Sequence, residues 1–183
     1  MSLTFAIIGC GRISKRHCDI LASGQISDVK LIGVCDINKT LAETTGEKYK
    51  VDCYTDMHDM VQKINPDVLC ILTESGNHAQ NVLDLLKYKK HFVVEKPISL
   101  SLRDADAMIE GCDKAGVKLF VVKQNRFNLP IVQLRKALEL GRFGKLVMGS
   151  VRVRWCRAQE YYDQAPWRGT WAMDGGVLTN QAI

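Results

Sequence analysis

Short apolar runs alternate with amphipathic stretches through residues 3–122, and this alternation constrains the fold more than any other feature of the sequence. The near-continuous Val, Ile and Leu content of the runs suits strands buried on both faces of a sheet. The predicted strands are 3–8, 30–35, 67–72, 91–94 and 118–122. The predicted helices are 13–23, 39–49, 57–64, 79–87 and 102–115. Strands and helices in alternation predict an α/β fold with a Rossmann-type, doubly wound parallel sheet.

A glycine-rich turn joins the first predicted strand to the first predicted helix. Its sequence, Gly-Cys-Gly-Arg-Ile-Ser, fits Gly-x-Gly-x-x-Gly with Ser14 at the third glycine position. The first glycine permits a tight turn, the second lets a diphosphate approach the backbone, and the third position needs only a small residue. The start of the following helix offers unpaired N–H groups to an anion. We therefore predict a dinucleotide site at Gly9, Gly11, Arg12 and Ile13.

An acid closes the second predicted strand. Asp36 follows Gly11 by about 25 residues, near the spacing of about 20 at which a carboxylate binds the adenosine ribose hydroxyls of a dinucleotide. Because this carboxylate would repel a 2′-phosphate, it favours NAD over NADP, although Lys39 leaves some room for the phosphate. The alternative is an ordinary glycine turn with Asp36 as a helix cap. The combination of strand, glycines, helix, strand and acid favours the NAD site.

Two further motifs follow predicted strands at the carboxyl edge of the sheet, where open α/β folds bind ligands. Thr73 begins the first, and we expect its backbone to border the cofactor. The second is Glu95-Lys96-Pro97. Lys96, beside a cationic nicotinamide and a sugar hydroxyl, would have a lowered pKa and could take the hydroxyl proton. The alternative is a surface turn lysine; for His78, local packing is favoured over catalysis.

The pattern changes after residue 123. A helix is predicted over 129–140, and residues 145–156 then alternate in the period-two pattern of a half-exposed antiparallel strand. We predict an NAD-binding domain over 1–123 and the beginning of an α+β substrate or oligomerisation domain with an antiparallel sheet over 124–183. Because residues 157–183 are too few to supply partner strands, we expect the sequence to be truncated.

Composition excludes several other classes of protein. The net charge of +5 comes from Lys and Arg scattered along the chain, which favours solvated helix faces over nucleic-acid binding. The seven cysteines are an odd number without a Cys-x-x-Cys pair, so we expect reduced thiols, no metal site and a cytoplasmic location. No apolar run reaches the roughly 18 residues of a membrane span.

Five motifs in order resemble the Gfo/Idh/MocA oxidoreductases along essentially the whole chain. They are the glycine turn, Glu95-Lys96-Pro97, Gln124-Asn125-Arg126, Trp167-Arg168-Gly169 and Gly175-Gly176. Within the family, the residues around Gln124 and those from Trp167 onward look most like the UDP-N-acetylglucosaminuronate 3-dehydrogenases. These enzymes oxidise the sugar C3 hydroxyl to a ketone in nucleotide-sugar synthesis for bacterial surface polysaccharides.

The resemblance implies roles for individual residues. It implies that Lys96 is catalytic and contacts substrate, together with a histidine that would lie beyond Ile183. Besides Thr73, the residues expected at the cofactor are Glu95, Gln124, Trp167 and Arg168. Arg168 could instead reach the anionic sugar, and for Trp167 packing in a core is the alternative. The residues implied at the substrate are Lys96, Asn180 and Arg126, whose guanidinium suits a uronate or a diphosphate. A surface salt bridge is the alternative for Arg126.

These observations predict hydride transfer from C3 of a UDP-N-acetylglucosaminuronate to NAD in a protein that is a dimer or tetramer at full length. One alternative is an inositol-type or glucose-type dehydrogenase of the same family. Another is an NAD(H)-binding regulatory module without turnover, against which Lys96 argues. We expect residues 1–183 alone to bind NAD with little or no turnover.

Overall fold

The computed structural model describes residues 2–182, which contain one sheet of six parallel strands in the order β3-β2-β1-β4-β5-β6. The strands are β1 (Leu3–Ile8), β2 (Val29–Cys35), β3 (Asp52–Tyr54), β4 (Val68–Ile71), β5 (His91–Val94) and β6 (Leu119–Val121). All five predicted strands are present, and β3 is an addition at the edge. The predicted Rossmann-type, doubly wound sheet is therefore confirmed.

Helices connect the strands at nearly the predicted positions. They are α1 (Ser14–Ala22), α2 (Lys39–Tyr49), α3 (Met57–Ile64), α4 (His78–Leu85), α5 (Leu102–Ala115), α6 (Leu129–Glu139), α7 (Gln159–Asp163) and α8 (Val177–Asn180). The side chains of Asn38 and Ser101 accept backbone N–H bonds at the starts of α2 and α5. These polar residues end the preceding loops because they satisfy amide groups that the first helical turn leaves unpaired.

The core lies on both faces of the sheet, and alternate residues of β1 divide between them. Ala6 and Ile8 pack with Phe92 and Met108 in one buried cluster, whereas Ile7 packs with Cys18 in the other. Ala6, Ile7, Cys18, Phe92 and Met108 are fully buried. Because successive strand residues point to opposite faces, a strand covered on both sides must be apolar at every position.

The strand order places a ligand edge at the carboxyl ends of β1 and β4. The chain runs outward from β1 through β2 to β3, then returns to the other side of β1 and continues through β4, β5 and β6. This reversal leaves a crevice between the loops that follow β1 and β4, where doubly wound folds bind ligands. The predicted glycine turn and the segment beginning at Thr73 are those two loops.

The antiparallel strand predicted over 145–156 does not form among the described residues, and the antiparallel sheet expected in 124–183 stays a prediction. Within residues 2–182, no strand follows β6, and residues 145–157 form neither helix nor strand. Val147, Val151 and Trp155 are exposed. An alternating segment forms a strand only when another strand supplies its hydrogen bonds, and the described residues supply none.

Five of the seven cysteines are buried, while Cys53 on β3 and Cys156 are exposed, and all seven are free thiols. Burial raises the pKa of the Cys10, Cys35 and Cys70 thiols to about 12. Among the described residues, no three or more His, Cys, Asp or Glu side chains are grouped to hold a metal ion. None of the described helices combines the length and the hydropathy needed to cross a bilayer.

Candidate active site

The glycine turn presents open backbone at the start of α1. Gly9 has φ of +98°, and a Cβ there would lie 2.7 Å from the backbone of Leu72, so only glycine fits. A Cβ at Gly11 would meet no heavy atom within 4 Å. The Ser14 hydroxyl donates to the Gly11 carbonyl at 2.6 Å, which closes the turn at the third glycine position. The exposed face at Gly11 fits a dinucleotide diphosphate approaching the amide groups of this turn.

Asp36 holds the same turn from the neighbouring strand. One carboxylate oxygen accepts from the Cys10 N–H at 2.7 Å, and the other accepts from the Asn38 N–H at 2.8 Å. Asn38, and not Asp36, is the residue that caps α2. A carboxylate has about four lone-pair positions, so Asp36 keeps acceptor capacity for ribose hydroxyls. Its half-buried position next to the glycine turn agrees with the predicted cofactor contact.

Lys96 lies just beyond β5, and Asn180 is its hydrogen-bond partner. Its ammonium donates to the Asn180 backbone carbonyl and, at 3.1 Å, to Asn180 Oδ1. Burial is the main cause that lowers the pKa of Lys96, and the nearby carboxylates of Glu95 and Asp174 oppose it. Partial burial with a lowered pKa suits a lysine that exchanges a proton near neutral pH.

Glu95 is joined to the first helix through His17, which was not selected from the sequence. Glu95 is buried, and its Oε1 lies 2.8 Å from His17 Nε2. Its other oxygen accepts from the Lys96 backbone N–H at 3.1 Å. The pair fixes the loop that carries Lys96 to α1, the helix that follows the glycine turn. Glu95 therefore lies between the predicted cofactor site and Lys96.

Asn180 is held from behind by a residue that the sequence analysis did not select. Its Nδ2 donates to Asp174 Oδ1, and Asp174 Oδ2 accepts from the Gly169 N–H at 2.7 Å. Both side chains are buried. The segment also meets the loop after β4, because the Gly76 N–H donates to the Met173 carbonyl at 3.0 Å. The bond from Gly76 attaches residues 167–180 to the ligand edge of the sheet, while the two bonds of Asp174 hold the segment itself together.

A cavity of about 260 Å³ opens beside Lys96, and several of the side chains that line it are cationic. It is lined by Lys96, Lys123, Gln124, Asn125, Arg126 and Ile131. Burial, with help from the charge of Arg126, lowers the pKa of Lys123. Within the described part of the chain, neither Lys123 nor Arg126 forms an ion pair, and no acidic residue lines the cavity. The cavity thus favours an anion.

Arg168 is packed between aromatic rings near the glycine turn. Its guanidinium carbon lies 4.4 Å from the ring centre of Tyr161 and 4.7 Å from that of Trp167. Its Nε is buried and makes no hydrogen bond to any described residue. Arg12 reaches the same region, donating to Gln164 Oε1 at 3.4 Å. A buried, unpaired guanidinium N–H is costly, so an anionic ligand would complete this arrangement.

His78 is a structural residue, in line with the packing role favoured from the sequence. It is 1% exposed, with Nδ1 2.8 Å from the Pro97 carbonyl and Nε2 3.1 Å from the Thr73 carbonyl. Burial lowers the pKa of His78. The ring thereby joins the two loops that follow β4 and β5. The Thr73 hydroxyl donates to Asn81 Oδ1 at 2.8 Å, which leaves its backbone at the ligand edge.

The structure therefore forms two groups from the predicted site residues. One surrounds Lys96, with Asn180 bonded to it and Gln124 and Arg126 in the adjoining cavity. The other lies around the glycine turn and consists of Gly9, Gly11, Ile13, Asp36 and Thr73. The sequence analysis missed Asp174 and Lys123. The signals available for them were the neighbouring Gly175-Gly176 and Gln124-Asn125-Arg126 motifs.

Known proteins that are similar to this chain share its NAD-binding Rossmann fold. The model of a family described as "Oxidoreductase family, NAD-binding Rossmann fold", Gfo/Idh/MocA, matches residues 3–123. The myo-inositol 2-dehydrogenase of Thermotoga maritima is 34% identical over 144 residues, which are 78% of this chain and 42% of that protein.

Two solved structures are similar over the whole chain. One is the WlbA dehydrogenase of Bordetella pertussis in complex with NADH and UDP-GlcNAcA, with 40% identity and a TM-score of 0.95. The alignment covers 100% of this chain and 56% of that one. The WlbA dehydrogenase of Chromobacterium violaceum, with the same ligands, has 38% identity and a TM-score of 0.95 over 99% of this chain and 52% of that one. The chain thus spans about half the length of these relatives.

Proposed function

Because this chain belongs to the Gfo/Idh/MocA family of oxidoreductases with an NAD-binding Rossmann fold, we propose that the protein containing it is an NAD-dependent sugar dehydrogenase. Its proposed substrate is a UDP-linked N-acetylglucosaminuronate, oxidised at the C3 hydroxyl to a ketone. The observation that supports this most is the similarity over the whole chain to two dehydrogenases crystallised with NADH and UDP-GlcNAcA.

NAD, when bound, accepts the hydride that leaves C3. Residues of this chain would hold it through the open amides near Gly11, the Asp36 carboxylate and the unpaired Arg168 Nε. The hydroxyl proton passes to the neutral amine of Lys96, and the C3–O bond becomes a carbonyl. Because burial lowers the pKa of Lys96, a larger fraction of the amine is free to take that proton at neutral pH than for a solvated lysine.

The cation-rich cavity supports an anionic substrate over a neutral sugar. Lys123 and Arg126 line the space next to Lys96 and form no ion pair among the described residues. A uronate carboxylate or a sugar diphosphate would neutralise them, whereas a neutral polyol would leave the half-buried Lys123 and the exposed Arg126 without a counter-charge.

An inositol-type dehydrogenase is the second candidate, since the myo-inositol 2-dehydrogenase of Thermotoga maritima is 34% identical to this chain. It requires the same cofactor and the same proton acceptor, but a cavity that accepts a neutral ring. A dimer or tetramer, a cytoplasmic location and a role in surface polysaccharide synthesis stay predictions.

The two candidate functions are distinguished by comparing which substrates the protein oxidises. The whole protein is assayed for NADH formation with UDP-N-acetylglucosaminuronate, UDP-N-acetylglucosamine, glucose and myo-inositol. We expect UDP-N-acetylglucosaminuronate to be oxidised most efficiently, and mass spectrometry should identify a 3-keto sugar as the product. Oxidation of myo-inositol or glucose with no turnover of either UDP-sugar would replace it by the second candidate, and stoichiometric NADH binding without any turnover would favour a regulatory module.

A further inference from the structure

Asp174 is a buried acid that lies behind the candidate active site. Asp174 is only 5% exposed to solvent, and its two carboxylate oxygens accept hydrogen bonds from Asn180 Nδ2 and from the Gly169 N–H. It makes no hydrogen bond to Lys96 itself. Burying a carboxylate costs free energy unless hydrogen bonds compensate for lost water. The two hydrogen bonds to Asp174 provide this compensation. One comes from Asn180, a predicted substrate contact, and the other from Gly169, which is next to Arg168.

The bond to Asp174 determines which end of the Asn180 amide faces Lys96. An asparagine amide has a donor end and an acceptor end, whereas a carboxylate only accepts. With Nδ2 directed at Asp174, Oδ1 is directed at Lys96 Nζ, 3.1 Å away. A flipped amide would set an oxygen against the carboxylate and N–H groups against the amine. Asp174 therefore makes one amide orientation favourable.

We propose that Asp174 is a positioning residue that aligns Lys96 for proton transfer by fixing the Asn180 amide and the turn at Gly169. This inference rests on the proposed dehydrogenase function. Lys96 and Asn180 are 84 residues apart in sequence, so their alignment depends on how residues 167–180 are held against the sheet. Asp174 bonds to Gly169 near one end of that segment and to Asn180 at the other, so it fixes the shape in which the segment presents Asn180 to Lys96.

The charge of Asp174 gives the proposal a second observable. Four charged groups act on Lys96: Glu95 and Asp174 raise its pKa, while Arg157 and Lys123 lower it, and burial is the largest lowering cause. Removing the Asp174 charge must therefore move the pKa of Lys96 further down. Since the neutral amine accepts the proton, the rise of kcat with pH should move to lower pH. Loss of packing alone would not produce that shift.

The experiment compares D174N, D174E and the control D163N in the whole protein. Asp163 is an exposed acid on α7 whose side chain accepts a hydrogen bond from Gln159. We expect D174N to lower kcat about 10- to 100-fold, since misplacing a reacting group by about 1 Å costs ~100-fold, and to move the pH profile to lower pH. D174E, which keeps the charge and displaces it, should lower kcat without that pH shift. D163N should match wild type.

Wild-type kcat and pH profile in D174N would overturn the inference. So would a fall in kcat that is matched by lost NADH binding and shows no pH shift, because that result indicates a general structural role. If circular dichroism shows that D174N does not fold, D174E decides, and an unchanged kcat in that variant overturns the inference. If wild type turns over no substrate, the proposed function fails instead. Titration of 13Cε-labelled Lys96 by NMR then decides, and an unchanged midpoint in D174N refutes the positioning role.

Discussion

Lys96 is an ordinary residue type in an unusual setting, because it is partly buried, has a lowered pKa and bonds to both oxygens of Asn180. Its position in the chain, directly after β5, was predictable from the Glu95-Lys96-Pro97 motif. Its partners were not, since Asn180 and Asp174 come from a segment whose placement depends on tertiary contacts. The same holds for the His17–Glu95 pair, whose members are 78 residues apart in sequence.

Replacing Lys96 should slow the transfer of the substrate hydroxyl proton. Lys96→Met in the whole protein should lower kcat by about 10²- to 10⁴-fold, the usual contribution of a positioned acid or base. NADH affinity, measured by the quenching of protein fluorescence, should change little because the glycine turn and Asp36 are untouched. Lys63→Met, on the exposed side of α3, serves as the control. Full activity in Lys96→Met would contradict the assignment.

Removing the charge of Lys123 should shift the pKa of Lys96 in the opposite direction from removing the charge of Asp174. Its positive charge is one cause of the lowered pKa of Lys96. Lys123→Gln should therefore raise the pKa of Lys96 and move the rise of kcat to higher pH. It should also raise KM for the acidic UDP-sugar more than for UDP-N-acetylglucosamine. A pH profile that does not move, together with equal KM changes for the two sugars, would remove Lys123 from the site.

Five of the six strands of the sheet were predictable, and the edge strand β3 was not. Apolar runs marked β1, β2, β4, β5 and β6 because strands buried on both sides have no polar alternation. The edge strand β3 consists of Asp-Cys-Tyr, which forms no apolar run, and it exists through pairing with β2 from Gly33 to Cys35. The alternation over 145–156 predicted a strand from local sequence alone, but the described residues contain no strand that pairs with it.

The β1–α1 turn gives a matched pair of variants. Gly9→Ala should lower the free energy of unfolding by at least about 1–2 kcal/mol, the cost of a left-handed non-glycine residue, because its Cβ also overlaps the Leu72 backbone. Gly11→Ala meets open space, so its stability should be nearly that of wild type. Urea denaturation measures both effects.

The same variants test the diphosphate position. Gly11→Ala should bind NADH more weakly while remaining fully folded, because its methyl group would occupy the space that the ligand needs. Calorimetry on folded protein measures the affinity. Wild-type affinity in Gly11→Ala would show that the diphosphate does not approach this backbone, even if Gly9→Ala proves unstable as expected.

The strand β2 presents Asp36, and this position determines the choice of dinucleotide. Asp36→Asn should reduce the preference for NAD over NADP about ten-fold, the order expected for a hydrogen bond to a charged group. The variant keeps an acceptor for one of the Cys10 and Asn38 amides, so folding should survive. The ratio of the two dissociation constants gives the result, and an unchanged ratio would return Asp36 to a purely structural role.

For the whole molecule, binding of NAD should be visible as stability. A ligand at 100 times its dissociation constant stabilises the folded state by about 2.7 kcal/mol, which corresponds to about 5–10 °C in Tm for a chain of this size. We expect such a shift with NADH, and a smaller one with NADPH at equal concentration. An unchanged Tm with both dinucleotides, in protein with native circular dichroism, would contradict the dinucleotide site on which the proposed function depends.

The distribution of the cysteines has a practical consequence for measuring motion. Only Cys53 and Cys156 are exposed among seven free thiols, and a buried thiol with a raised pKa reacts slowly because the thiolate is the nucleophile. A maleimide reagent should thus label these two positions in the natural sequence. A donor and acceptor dye attached there would span from the sheet edge to the irregular segment 145–157, and fluorescence transfer between them would report whether that segment shifts when a dinucleotide binds.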